Sequence, residues 1–128
     1  MNTATIRKGI DILVAIIFIW FAYLQLDDGD AWFWILIYGF VVIMAVLDFL
    51  GSLSKRRSLK TLIVFGILLI VYFSHLLDWI KAGYPNIVDY TEETVSVVEG
   101  VREYFGLLIS FAVVSVYYLF PAAALKSK

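Results

Sequence analysis

Four apolar runs, each close to twenty residues long, leave this chain few ways to fold. They are "GIDILVAIIFIWFAYLQL" at 9–26, "AWFWILIYGFVVIMAVLDFLGSL" at 31–53, "TLIVFGILLIVYFSHLLDWI" at 61–80 and "YFGLLISFAVVSVYYLFPAAAL" at 104–125. A helix rises about 1.5 Å per residue, so about 20 residues cross a hydrocarbon layer of about 30 Å. Inside that layer the backbone must satisfy its own hydrogen bonds, which leaves helices and closed barrels. Barrel strands alternate apolar and polar residues, and these runs do not. Composition agrees. Of 128 residues, 62% are hydrophobic, well above the half expected of a soluble domain. The expected fold is all-α: a single integral membrane domain over 1–128, built as an antiparallel four-helix bundle.

The links between runs support this. Residues 27–30 and 54–60 are short connections, which make consecutive helices antiparallel neighbours. The third link, 81–103, opens on a turn at Gly83 and Pro85. Asp89 and Thr91 suit helix N-caps, so a helical lead-in is expected over about 90–103, either continuous with the fourth helix or bent at Gly100. Met1 to Thr5 reads as a short frayed tail. Arg7 and Lys8 precede an apolar stretch, as in a signal peptide. No small-x-small cleavage site follows, so the first run is read as a retained helix.

Charge orients the bundle. Arg7, Lys8, Lys55, Arg56, Arg57, Lys60, Lys126 and Lys128 are eight of the ten basic residues, and all fall on one side. That side is expected to be cytoplasmic, with both termini inside, in a plasma or bacterial inner membrane. The other side carries Asp27, Asp28, Asp30, Asp78, Asp89, Glu92, Glu93, Glu99 and Glu103 against Lys81 and Arg102. Trp32, Trp34, Trp79, Tyr84 and Tyr104 are placed to form an aromatic belt at that outer boundary. A net charge of −1 excludes a basic nucleic-acid footprint. The absence of cysteine excludes disulfides and thiol chemistry.

The outer side also holds the candidate site. Glu92, Ser96, Glu99, Glu103, Gly106 and Ser110 step by three and four along one helical stripe, opposite Val95, Val98, Val101 and Phe105. A polar stripe entering lipid is expected to face other helices. Topology then gathers Gln25, Asp27, Asp28, Asp30, Trp34, His75, Asp78, Glu99, Arg102 and Glu103 into an acidic pocket. Such a pocket suits a polar lipid, a small ligand or a partner subunit, including a second copy of the chain. The alternative is a metal-dependent membrane enzyme. Its ligand set, His75 with Asp78, Asp28, Asp30 and Glu103, is thin for a divalent ion that activates water. A third reading is an accessory subunit of a larger membrane complex. A plainer account competes with all three. In it Asp30 caps the second helix, Asp27 and Asp28 are solvated, Glu99, Arg102 and Glu103 pair internally, and His75 is a satisfied interfacial histidine. No phosphate loop, serine-nucleophile motif or zinc-helix motif is present, and no cofactor is expected.

Two inner acids complete the inventory. Asp11 lies four residues after Arg7 and reads as an i,i+4 pair. Asp48 is expected to be reached by a long basic side chain from the 54–60 link. Whether Asp11 and Asp48 meet across helices stays open. Gly106 and Ser110 form a small-xxx-small pair that permits close helix packing.

Two blocks resemble the transmembrane protein 220 family. "AYLQLDDGDAWFWILIYG", 22–39, is similar to a signature running Gln-x-Asn-Asp-Pro-Asp, then Trp, then Ile-Tyr; Gln25, Asp28, Asp30, Trp34, Ile37 and Tyr38 match. "EGVREYFGLLI", 99–109, resembles the second block through Glu99, Arg102, Glu103, Gly106 and Leu107. Asp27 stands where the family has Asn, and Gly29 where it has Pro. The first change adds a charge and removes an amide donor; the second loosens the turn. The resemblance implies a small four-helix integral membrane protein and implies no catalytic residues.

Overall fold

A computed structural model of the chain describes residues 2–27 and 29–122. It contains five α-helices and, among the described residues, no strands: α1 (Thr3–Leu24), α2 (Ala31–Phe49), α3 (Lys55–Val71), α4 (Phe73–Lys81) and α5 (Val95–Leu119). Only Tyr72 separates α3 from α4, so Lys55–Lys81 runs on as one near-continuous helix. Four helical rods therefore stand where four apolar runs were read. Two of them, Ala31–Phe49 and Lys55–Lys81, are long and apolar enough by length and composition to cross a membrane. α1 includes Arg7, Lys8 and Asp11, and α5 includes Glu99, Arg102 and Glu103.

Several helix ends differ from the sequence reading, each for a local reason. Residues 3–5 are helical rather than frayed, because the Asn2 side chain accepts from the Thr5 amide at 2.8 Å and caps α1. α2 stops at Phe49 because Gly51 turns left-handed, φ 73°. The Gly51 and Ser52 amides then bond back to the Asp48 and Leu47 carbonyls at 3.0 and 2.8 Å, a Schellman close. The basic segment is helix rather than link: α3 begins at Lys55, and the Ser54 hydroxyl accepts from the Arg57 amide at 3.2 Å. α4 closes in the same way as α2, with Gly83 at φ 86° and the Tyr84 amide bonded to the Trp79 carbonyl at 3.2 Å. α5 starts later than 90 and runs through Gly100 without a break; neither Asp89 nor Thr91 is its first residue.

The helices pack as two compact units. One comprises residues up to Thr61 together with those from Val113 onward; the other is Leu62–Ala112. In the first unit α1 and α2 run antiparallel. Arg7 meets Asp48 at one end, and Phe18 meets Tyr38, with ring centroids 6.0 Å apart, toward the other. Phe18, Trp34, Ile37, Val41, Met44 and Ala45 form the core here. Burying each large apolar side chain contributes about 1.5–3 kcal/mol relative to water.

In the second unit the α3–α4 rod runs antiparallel to α5. Phe111 lies 3.4 Å from where a Cβ on Gly66 would stand, Phe73 packs edge-on to Tyr104, and His75 lies on Gly100. The last contact needs glycine. A Cβ on Gly100 would stand 2.5 Å from the His75 Nδ1 and 3.0 Å from its Cγ, atoms near the base of the side chain. Gly100→Ala is expected to cost about 1–3 kcal/mol through overpacking. A lowered unfolding temperature in detergent, partly restored by adding His75→Ala, is the expected result. An unchanged unfolding temperature in the single variant would contradict the contact.

Candidate functional site

The first unit places Gln25, Asp27, Asp30 and Trp34 around the α1–α2 turn; Asp28 lies outside the described residues. Gln25 is half-buried and ends α1. Asp27 is exposed. Asp30 holds the N-cap position of α2, but its side chain does not cap. Its Oδ2 instead accepts from the Trp34 indole N–H at 3.0 Å. The reason is burial: Trp34 is 0% exposed, and a buried indole N–H needs an acceptor. Trp34 therefore leaves the expected aromatic belt for the core. Tyr104 does likewise, while Trp32 and Tyr84 stay exposed.

The second unit holds His75, Asp78, Glu99, Arg102 and Glu103. His75 is half-buried, and its ring stacks on Tyr72 with centroids 5.3 Å apart. Asp78 is exposed beside Trp79, whose indole N–H donates to the Pro85 carbonyl at 2.9 Å. The helical stripe at the start of α5 faces the other way from that expected. Val98 and Val101 are 0% exposed, whereas Glu92, Ser96, Glu99 and Arg102 are exposed. Burying valine gains hydrophobic free energy, whereas burying an unpaired carboxylate costs several kcal/mol. Deeper along α5 the stripe does turn inward: Ser110 is buried, and its hydroxyl donates to the Gly106 carbonyl at 2.8 Å. Glu103, between the two regimes, is half-buried. Among the described residues no group of three or more His, Cys, Asp or Glu side chains gathers at metal-binding range.

A second polar cluster, in the first unit, was largely missed by sequence reasoning. The Arg7 Nε donates to Asp48 Oδ2 at 2.9 Å and lies 3.7 Å from Asp11 Oδ1. The Tyr117 hydroxyl donates to Asp11 Oδ1 at 2.9 Å. The Ala122 amide, freed where Pro121 follows the end of α5, donates to Asp48 Oδ1 at 2.8 Å. The guanidinium also sits 5.2 Å from the Tyr117 ring centroid. All four side chains are buried. One cation thus faces two carboxylates, and Arg7 Nη2 and Asp11 Oδ2 are left without partners.

This corrects the reading of Asp48. Its partner is Arg7, 41 residues away, not a side chain of the basic segment. Lys55 instead lies over the Tyr118 ring, and Lys8 over Phe49. The i,i+4 spacing of Arg7 and Asp11 was a visible signal. Nothing in the spacing of Tyr117, one tyrosine in an apolar run, pointed to Asp11.

A family model described as transmembrane family 220, helix, matches residues 17–119. No curated protein and no solved structure matches.

Tyr117→Phe keeps the ring and removes the hydroxyl that reaches Asp11. Loss of a hydrogen bond to a charged group is expected to cost about 1.5–3 kcal/mol. Reversible unfolding in mixed micelles measures it; stability equal to that of the unsubstituted protein would remove Tyr117 from the cluster's support.

Proposed function

The chain belongs to transmembrane family 220, and from that premise we propose that it is a polytopic membrane protein that binds rather than catalyses. In this reading four helical rods span the membrane and both termini are cytoplasmic. The exposed acidic face of the second unit, at Asp78 and Glu99, receives the positively charged group of a polar lipid, a small ligand or a partner subunit. The supporting observation is how the carboxylates are deployed. Asp78 and Glu99, both in the second unit, are exposed, and among the described residues neither carboxylate makes a hydrogen bond or an ion pair. The plainer account had Glu99, Arg102 and Glu103 pairing internally; the binding face proposed is Glu99 and Asp78 and not Glu103, which has an interaction of its own.

Exposed carboxylates steer a cationic partner toward them. His75, in the same unit as Asp78 and Glu99, is packed on Gly100. Its role in this reading is to shape the rim, while Asp78 and Glu99 supply the attraction.

The test is native mass spectrometry of protein released from nanodiscs, comparing the unsubstituted chain with Asp78→Asn/Glu99→Gln. Each exposed charge is worth up to about 1 kcal/mol. Retention of co-purified polar lipid or partner subunit is expected to fall several-fold, with a weaker dependence on salt. Identical retention in both proteins would exclude these acids as the binding face.

A further inference from the structure

Ile12 and Ala15 of α1 and Val46 and Phe49 of α2 line a groove of about 190 Å³ whose walls are wholly apolar. Lys8, Ile12 and Ala15 step by four and three, so Lys8 continues the groove's α1 wall at one end. Its ammonium lies over the ring of Phe49, 5.3 Å from the centroid, and Phe49 is itself part of the lining. A cation is thus fixed where an apolar channel ends.

The buried cluster decides the electrostatic character of that end. Asp11 and Asp48 are both buried against Arg7. Among the described residues, the exposed charges of α1 and the start of α3 are Lys8, Lys55, Arg56, Arg57 and Lys60, all positive. Arg7 is withdrawn from the surface along with the two acids. The groove mouth therefore faces outward with no exposed carboxylate from α1, α2 or the start of α3 to compete for Lys8.

We propose that this groove seats an acyl chain of an anionic phospholipid whose phosphate is held by Lys8. The apolar walls match the chain, and the ammonium matches the head group. A zwitterionic lipid meets the same walls but gains less at the mouth, because its own cation opposes Lys8. One lysine near a membrane surface is worth about 1 kcal/mol toward anionic lipid, or about fivefold in relative retention.

The experiment uses the full chain in nanodiscs of equal phosphatidylglycerol and phosphatidylcholine, with retained lipid read by native mass spectrometry. The unsubstituted protein is expected to retain phosphatidylglycerol preferentially. Lys8→Gln is expected to reduce that preference about fivefold. Ala15→Phe, which fills the groove and leaves every charge in place, is expected to reduce retention of both lipids. Arg56→Gln removes an exposed cation outside the groove and is expected to change the preference by much less than Lys8→Gln. Equal retention of the two lipids by the unsubstituted protein would overturn the proposal. So would an equal effect of Arg56→Gln and Lys8→Gln, which would mean diffuse attraction without a seat. Should Ala15→Phe fail to fold, the comparison of Lys8→Gln with Arg56→Gln still decides.

Discussion

The bond from Arg7 to Asp48, 2.9 Å long and buried, is the contact on which the rest of the first unit depends. A lone arginine or aspartate withdrawn from water would cost several kcal/mol. Each becomes tolerable only because the others are there. Arg7 has two carboxylates, Asp11 has Tyr117, and Asp48 has the Ala122 amide. The cluster collects residues from the first helix, the second helix, the fifth helix and the segment just beyond its end. It also sets register: with Arg7 on Asp48, Phe18 falls on Tyr38 and the apolar core closes behind them. A slip of one residue along either helix would strand a charge in the core.

The same contact divides the acids of the chain into two kinds. Asp11 and Asp48 are spent on structure and hidden, which leaves a surface of cations around the groove that Lys8 ends. Asp27, Asp78 and Glu99 are exposed; on α5 Val98 and Val101 take the buried positions beside Glu99. Asp30 stands between these cases, exposed as a residue yet tied to a buried indole. Counting charges along the sequence treats these acids as equivalent. Their burial separates a buried structural set from an exposed one.

The helices were legible because apolar run length and the lack of alternation are local properties. The family was legible because Gln25, Asp28, Asp30, Trp34, Ile37 and Tyr38 stand in order at fixed spacing. Helix ends were less so: a Schellman glycine at 51 and a serine cap at 54 shift boundaries by several residues without disturbing the pattern. The long-range pairings were least legible. Periodicity says that Val98 and Glu99 lie on different faces, but not which face is covered; the covered face turned out to be the valine one. Likewise Asp48 lay within reach of the Lys55–Lys60 side chains in sequence, yet a residue 41 positions earlier took it. Trp34 looked like a belt residue by composition, and its burial follows from packing that no single segment encodes.

A double-mutant cycle on Arg7 and Asp48 tests the central claim most directly, using reversible unfolding in detergent of Arg7→Met, Asp48→Asn and the combined variant. If the pair organises the unit, Arg7→Met leaves two buried carboxylates uncompensated and costs about 3–5 kcal/mol, and Asp48→Asn, which removes the 2.9 Å bond but leaves Asp11 beside Arg7, costs less. The combined variant then costs well under the sum, with a coupling above about 1 kcal/mol. Single changes that add to within about 0.5 kcal/mol would show that Arg7 and Asp48 do not depend on each other, and would contradict the account.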